Sequence, residues 1–310
     1  MNIRFRNAGF SLTEVMIAMA LALVLLGGVI GVFISNQNTA RTTTDLSNLQ
    51  NSVRLTFQLM SQDIRSAGFI GCNNAPRVVS VIEVAGATPV WANWRGGVEG
   101  FAADADGNES IRLMYGTGVS STVSAHAPPV FNLNSAPGVN AGDIALICDD
   151  TLSAIFQVSA IGAATLNHAA AAAGVLNCSA DLGLGSPFVC SDVRPKVFQA
   201  DSMVMRFESV RWFVAPSLRN NTMDALFRES LVGGQVVAEE VLAGVQSLNF
   251  AYQEGGRPFA PVAFGAGVNM LNVVAVNVSI VLDPAAFPNI QLGQQQRTIE
   301  FLASVRNRLR

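Results

Sequence analysis

The sequence predicts an α+β protein in which one long N-terminal α-helix packs on a mainly antiparallel β-sheet globular domain. A run from Phe10 to Ile34 carries one charge, Glu14, and is followed by apolar residues at helical spacing. Beyond residue 70, short β-prone runs alternate with Gly, Pro, Asn and Asp, which is typical of strands joined by turns. A chain of 310 residues is long enough to bury a sizeable core around these elements.

The N-terminal segment is long enough to cross a membrane. A 25-residue helix from Phe10 to Ile34 would span roughly 37 Å, more than a hydrocarbon core of about 30 Å. Arg4 and Arg6 in the preceding polar stretch favour a cytoplasmic start and export of the remainder.

An ordinary secretory signal has a shorter apolar core, and a plain signal anchor leaves Glu14 unexplained. A charge in a membrane segment costs about 2.5–3.5 kcal/mol at mid-bilayer, so Glu14 needs a partner.

The residues Gly9-Phe10-Ser11-Leu12-Thr13-Glu14 resemble the processing site of type IV prepilins. That resemblance implies cleavage after Gly9 by a prepilin peptidase and N-methylation of Phe10 as the new N-terminus. It also implies a role for Glu14 in assembly. The cut would create an α-ammonium about one helical turn from the Glu14 carboxylate, at the positive end of the helix dipole. Within a filament, the same carboxylate could instead neutralise the ammonium of a neighbouring subunit.

The helix is predicted to continue past the membrane surface, because no proline occurs before Pro76. An apolar stripe follows with steps of three and four residues, and we expect it to pack on the globular domain: Leu46, Leu49, Val53, Phe57, Met60 and Ile64. The helix should end near Gly68. The predicted organisation is a leader at 1–9, a transmembrane half of the helix at 10–34, an amphipathic half at 35–67 and a periplasmic head at 68–310.

The head is predicted to be rich in β-strands. The clearest run is Val273–Leu282, in which Val274, Val276, Val278, Ile280 and Leu282 alternate with other residues. Residues 116–142 and 162–196 are expected to be loops or insertions. The remaining predicted strands are Val78–Val84, Ser110–Tyr115, Asp143–Cys148, Ala154–Val158, Met203–Glu208, Val210–Val214, Ala225–Ser230, Val245–Tyr252 and Thr298–Val305.

The chain also resembles the PilW family of minor pilins in three places. These are Ser61 to Cys72 at the predicted helix end, Gly142 to Cys148, and the C-terminal stretch Phe301 to Arg308. The resemblance implies a minor pilin anchored in the inner membrane by a single pass, with a periplasmic C-terminal domain, that reaches the pilus tip after assembly. Its implied partners are other minor pilins, the major pilin, the prepilin peptidase, the inner-membrane assembly platform and membrane lipid. Alternatives are a minor pseudopilin of type II secretion and a tip adhesin or DNA-uptake pilin.

Four cysteines follow the apolar segment, an even number on the exported side, which predicts two disulfides. They are Cys72, Cys148, Cys178 and Cys190. Three pairings are possible, and the sequence does not choose among them. We favour Cys178–Cys190, which are close in sequence, leaving Cys72–Cys148 to tie the helix end to a strand.

Little in the sequence indicates catalysis or a cofactor. No phosphate-binding loop, dinucleotide fingerprint, zinc-protease helix or hydrolase elbow is present. The two histidines, His126 and His168, lie in stretches that we expect to be flexible. The net charge is −3 with a single lysine, Lys196, so no nucleic-acid partner is predicted. Arg306, Arg308 and Arg310 are interpreted as a solvated tail.

An acidic stretch, Asp104 to Glu109, has oxygen side chains around Gly107. Calcium could bind such a stretch, but its spacing differs from that of an EF-hand. We therefore favour an acidic turn leading into the Ser110 strand.

Overall fold

The computed structural model describes residues 11–72, 77–170, 174–184, 193–265, 267–290 and 293–308. Helix α1 spans Leu12–Ser66, and the described residues after it form fifteen strands in two sheets that are mostly antiparallel. The predicted α+β class is therefore confirmed. The fold divides into two units. One contains the helix up to Asn51 together with residues near Asn289, and the other contains the remaining helical turns and both sheets.

In the first unit, α1 stays helical through the polar stretch Ser35 to Asp45. Its hydroxyl groups bond to the preceding turn: Thr39 Oγ1 donates to the Ser35 carbonyl at 3.0 Å, and Thr43 Oγ1 donates to the Thr39 carbonyl at 2.8 Å. These bonds satisfy side chains that otherwise compete with the helix backbone. The Asn289 side-chain amide donates to Asp45 Oδ2 at 2.9 Å.

Within the described part of the chain, the larger sheet contains eleven strands. Its main path runs β1-β6-β5-β9-β3-β4-β8-β7; β10 joins β9, β11 joins β10, and β2 joins β3. Only the β1–β6 pair is parallel among its described pairs. The strands are β1 (Arg77–Ser80), β2 (Val98–Phe101), β3 (Ser110–Ala127), β4 (Val130–Leu133), β5 (Ile144–Cys148), β6 (Leu152–Gln157), β7 (Ala160–Ile161), β8 (Thr165–Asn167), β9 (Met203–Pro216), β10 (Asp224–Val232) and β11 (Gln235–Ala243).

The centre of the larger sheet is buried on both faces. Every residue of β5 is buried, and successive side chains enter different cores because side chains alternate along a strand. Ala145 and Ile147 join the core around Phe131 and Phe156. Ile144, Leu146 and Cys148 join a second core, which also contains Ile70, Met114, Met205 and Phe207.

The smaller sheet is fully antiparallel, with strand order β13-β12-β14-β15. In β14, Val276, Val278 and Ile280 are completely buried, which agrees with the predicted alternation. The strands are β12 (Val245–Glu254), β13 (Val262–Ala263), β14 (Val273–Leu282) and β15 (Thr298–Ser304).

Within the second unit, the last turns of α1 pack on the sheets as the apolar stripe predicts. Met60 and Ile64 are completely buried. The Phe57 ring lies edge-on to the Phe301 ring of β15, with centroids 5.0 Å apart. The helix ends at Ser66, and Gly68 adopts φ +78°, the left-handed conformation that glycine tolerates best.

Several predicted boundaries are wrong. The expected loop at 116–142 contains the second half of β3, which continues to Ala127, and all of β4. The expected insertion at 162–196 contains β8, and the two strands predicted between Met203 and Val214 form one strand, β9. Strand β11 was not predicted at all. Its residues Gln235–Ala243 are mostly exposed, so the sequence lacks a pattern of buried alternation there.

Candidate functional site

The N-terminal turn of α1 positions Glu14. The Glu14 N–H donates to the Ser11 carbonyl at 3.1 Å and to Ser11 Oγ at 3.3 Å, so Ser11 caps the first turn. The carboxylate itself makes no hydrogen bond or ion pair to another described residue. Sequence reasoning missed the role of Ser11, although Ser11-x-x-Glu14 has the spacing of a capping box.

All side chains from Ser11 to Ile34 are exposed. Leu12 retains 79% of its accessible surface and Phe33 retains 61%, values that are unfavourable for large apolar groups in water. By length and composition, α1 is the helix in the described part of the chain that could cross a membrane. The carboxylate of Glu14 thus lies at the start of an apolar surface that nothing in the described chain covers.

Near its other end, α1 presents a buried carboxylate, Asp63, whose side chain is 5% exposed. Asp63 Oδ1 accepts from the Tyr115 hydroxyl at 2.8 Å and from Arg228 Nη2 at 3.0 Å. Asp63 Oδ2 accepts from Trp212 Nε1 at 3.0 Å and from Arg228 Nε at 2.9 Å. Four donors from β3, β9 and β10 therefore hold one helical side chain.

The electrostatics of this cluster follow from burial. Burial raises the pKa of the Tyr115 hydroxyl, and the neighbouring Asp63 charge raises it further, so Tyr115 stays a donor. Burial alone would lower the pKa of Arg228, but its two bonds to Asp63 outweigh that effect and raise it. Arg228 therefore stays charged, and the four donors satisfy both oxygen atoms of Asp63.

The Asp63 cluster was not predicted from sequence. Asp63 lies on the same helical face as Met60 and Ala67, because residues three and four apart are neighbours on a helix. A charged residue inside an apolar stripe was the available signal. Its partners come from strands more than 50 residues away, so the sequence could not identify them.

Comparison with known proteins bears on the N-terminal end of α1. The model of the prokaryotic N-terminal methylation motif matches residues 4–30, which include Glu14 and most of the apolar run. The chain is a type IV pilin-like protein. The pilin-like protein PilA3 of Thermus thermophilus is 40% identical over 60 residues, or 19% of this chain. The match spans 26% of that relative, about a quarter of its length.

The sites predicted in this pilin-like protein are only partly within the described residues. Gly9 and Phe10, the predicted processing site, lie outside them, whereas Glu14 lies in the first turn of α1. Their predicted roles remain predictions, as does the resemblance to the PilW family. The methylation motif and the exposed apolar helix fit a membrane anchor and a pilus.

A disulfide joins the segment after α1 to the larger sheet of the pilin-like protein. Cys72 and Cys148 are bonded across a sequence separation of 76 residues, with Cα atoms 5.8 Å apart. This is one of the two pairings that we favour. Cys178 is also disulfide-bonded, whereas Cys190, its predicted partner, lies outside the described residues.

The expected solvated tail is confirmed at Arg306, which is exposed, and is wrong at Arg308. The Asn307 side-chain amide donates to the Ser66 and Ala67 carbonyls at 3.2 and 3.3 Å, satisfying backbone acceptors at the end of α1. The Arg308 guanidinium donates to the carbonyls of Gly96, Met270 and Val273. Burial lowers the pKa of Arg308 to about 10. Arg310 lies outside the described residues.

The histidines are also not in flexible stretches. His168 is completely buried and His126 is 9% exposed, and their Nε2 atoms lie 3.0 Å apart. His126 Nδ1 accepts from the Phe198 N–H at 3.0 Å, so His126 carries its proton on Nε2 and donates it to His168. Both rings pack on Phe131. Their neighbours are aromatic rings and backbone groups, an arrangement that belongs to a core.

The acidic stretch Asp104 to Glu109 forms the turn favoured by the sequence. Asp104 Oδ1 accepts from the N–H groups of Asp106 and Asn108 at 3.0 and 2.9 Å. Glu109 Oε2 accepts from the Phe250 N–H at 2.7 Å. These oxygen atoms are bound to the backbone of the chain. Among the described residues, no group of three or more His, Cys, Asp or Glu side chains could hold a metal ion.

Proposed function

We propose that this pilin-like protein is a minor pilin of a type IV pilus, a non-enzymatic subunit that helps initiate assembly and sits at the filament tip. The observation that carries the proposal is Glu14 in the first turn of an exposed apolar helix, within the matched methylation motif. The size of the head supports a tip position, because a bulky head limits repetition along a packed filament. This link between head size and tip position comes from the family resemblance and not from the geometry.

Glu14 acts in this proposal through charge neutralisation. Its carboxylate has no partner among the described residues, and a lone charge in a lipid or filament core is costly. Cleavage after Gly9 would supply an α-ammonium at Phe10, either in the same chain or in a neighbouring subunit. The attraction between these charges is strong because little water is present to screen it. Glu14 therefore serves assembly rather than insertion into the membrane.

The proposed location follows from the same segment. The apolar half of α1 crosses the inner membrane once and the head lies in the periplasm, until the assembly platform extracts the subunit into a pilus. The proposed partners are the prepilin peptidase, membrane lipid, other minor pilins and the major pilin.

A minor pseudopilin of type II secretion would share the leader, the helix and the β-rich head. Deletion of the gene, with pilus number and protein secretion both scored, separates the two functions. We expect fewer pili per cell and unchanged secretion, with restoration by the gene in trans. Normal piliation with impaired secretion would contradict the minor-pilin proposal and support the pseudopilin. Normal piliation with lost surface attachment or DNA uptake would point to the adhesin or uptake alternative.

A further inference from the structure

Strand β11 leaves one edge of the larger sheet open. It pairs with β10 and with no other described strand. The other described strands with a single partner are shorter, and β7 and β13 have only two residues each. Long edges are usually protected by charged side chains, especially Lys, by Pro, by β-bulges or by a covering segment. Gln235–Ala243 contains no Lys or Pro, its charged residues are Glu239 and Glu240, and Gln235 to Glu239 are exposed.

The hairpin register shows which backbone groups are free. Gly233 and Gly234 both have positive φ, and Val232 pairs with Gln235 to close a two-residue turn. The closing pair of such a turn is hydrogen-bonded, and bonded pairs then alternate along an antiparallel ladder. The N–H and C=O groups of Val236, Ala238 and Glu240 therefore point away from β10. No described backbone group bonds to them there.

The side chains of β11 add chemical selectivity. Val236 and Val237 are 42% and 40% exposed and lie on opposite faces, since successive residues of a strand alternate. Glu239 is exposed and forms no ion pair with a described residue, because the opposite Arg228 is bound to Asp63. The edge thus offers backbone bonds, two branched apolar side chains and one unpaired negative charge.

We propose that β11 is a docking edge for an extended strand of a different pilin-like subunit, one that carries a basic side chain opposite Glu239. Strand addition satisfies the three outward N–H groups and three outward C=O groups at once. A second copy of β11 would satisfy the backbone, but it contains no Lys or Arg to pair with Glu239. The charge therefore favours a strand other than β11 as the partner. The identity of that partner as a pilin-like subunit rests on the proposed function.

The substitution Ala238→Pro tests whether β11 is a docking edge. The Ala238 N–H faces away from β10, so Ala238→Pro removes an outward donor and adds a ring at the edge without breaking the hairpin. Ala238→Ser keeps the N–H and is the matched control. Glu239→Arg reverses the charge and tests selectivity without altering the backbone. Thermal unfolding of each detergent-solubilised full chain verifies that all three variants fold.

The measurement is co-purification of the full chain from host membranes with the other pilin-like subunits of that host, quantified by native mass spectrometry. We expect Ala238→Pro and Glu239→Arg to lower the amount of heteromeric complex at least about tenfold, and Ala238→Ser to leave it unchanged. An unchanged complex in folded Ala238→Pro would overturn the proposal. So would a homodimer that Ala238→Pro abolishes while the heteromer persists.

These outcomes are distinguishable from failure of the proposed function. If gene deletion leaves piliation intact but complex formation still depends on Ala238 and Glu239, the docking edge stands and the minor-pilin role fails. If deletion removes pili but the complex is insensitive to both substitutions, only the proposal that β11 is a docking edge is wrong.

Discussion

At the scale of single residues, Asp63 shows how a helix is held on a sheet by one charge. A buried carboxylate is tolerated only when it is paired and its lone pairs are satisfied. Asp63 meets both conditions through Tyr115, Trp212 and Arg228. The three donors lie on different strands, so the cluster fixes the position of the helical turn around Asp63 relative to the sheet.

Replacement of Asp63 by Asn should therefore be strongly destabilising. The neutral amide cannot compensate the buried Arg228 charge, so we expect a loss of about 3–5 kcal/mol in the free energy of unfolding. Chemical denaturation of the solubilised protein measures this loss. Asp106→Asn is the control, because Asp106 is exposed and its substitution should stay within about 0.5 kcal/mol. Equal stabilities for the two variants would contradict the anchoring role of Asp63.

The histidine pair predicts a pH dependence of stability. Burial lowers the pKa of His126 to about 4 and, together with the nearby His126, that of His168 to about 3. An unfolded histidine has a pKa near 6.5, so the unfolded chain binds more protons between about pH 4 and 6.5. The two neutral rings therefore contribute stability that is complete above pH 6.5 and is lost as the pH falls through this window.

Each histidine should contribute a slope of up to about 1.4 kcal/mol per pH unit within that window. Urea denaturation at pH 6.5 and pH 5 measures the slope, and His168→Gln should reduce it by about one such contribution. The slope measures the difference in the number of bound protons between the unfolded and folded chains. The change in slope therefore does not depend on how much His168→Gln itself destabilises the fold. Identical slopes for the two proteins would show that His168 is already protonated in the fold.

Single residues were predictable where the signal is local, as for Asp104, whose acidic turn precedes a strand. Glu14 also stands out, because one charge interrupts an apolar run, but its role remains a prediction. Asp63, His126 and Arg308 were missed or misplaced, because their partners come from distant parts of the chain. The residues flanking His126 and Arg308 suggested solvent, whereas tertiary packing buries His126 and half-buries Arg308.

At the scale of elements, helix α1 and strand β14 were predicted well because their apolar residues follow a single period. Helical steps of three and four predict the buried Met60 and Ile64, and strict alternation predicts the buried face of β14. Strand β3 was cut short in the prediction because Gly116, Gly118 and a run of serines resemble a loop. Its pairing with β4 and β9 overrides that local preference.

The disulfide between Cys72 and Cys148 connects two elements and closes a long loop. In the chain-entropy model, the Cys72→Ala/Cys148→Ala double variant should lose about 4.5 kcal/mol of unfolding free energy. The Cys178→Ala/Cys190→Ala double variant is the comparison, and its shorter predicted loop should cost about 3 kcal/mol. Denaturation under non-reducing conditions measures both values. A larger loss from the second pair than from the first would contradict this account.

At the scale of the whole molecule, the chain combines an exposed apolar helix with a head that has cores on both faces of its larger sheet. The fold class was predictable, because the period of the apolar residues changes from helical to alternating near residue 70. The sheet order was not predictable. Pairings such as β3 with β9 join segments about 90 residues apart, and no local pattern encodes them.

Glu14→Val tests the functional account of the helix. Removal of the charge makes the segment more apolar, so the variant should enter the membrane as well as the unmodified protein does. It should be depleted from sheared pili at least about tenfold, since the ammonium loses its partner. Immunoblots of membrane and pilus fractions measure both amounts. Thr13→Val is the control, because it alters the same turn without changing charge. Normal entry of the Glu14→Val variant into pili would contradict the proposed role of Glu14 in assembly.

The central claim is that this chain is made as a prepilin and is cut at Gly9. Intact-mass spectrometry of the protein extracted from membranes of its native host tests that claim most directly. The account predicts a mass that begins at Phe10 and carries one added methyl group. A chain that retains Met1, or one cut beyond Ile34, would contradict it.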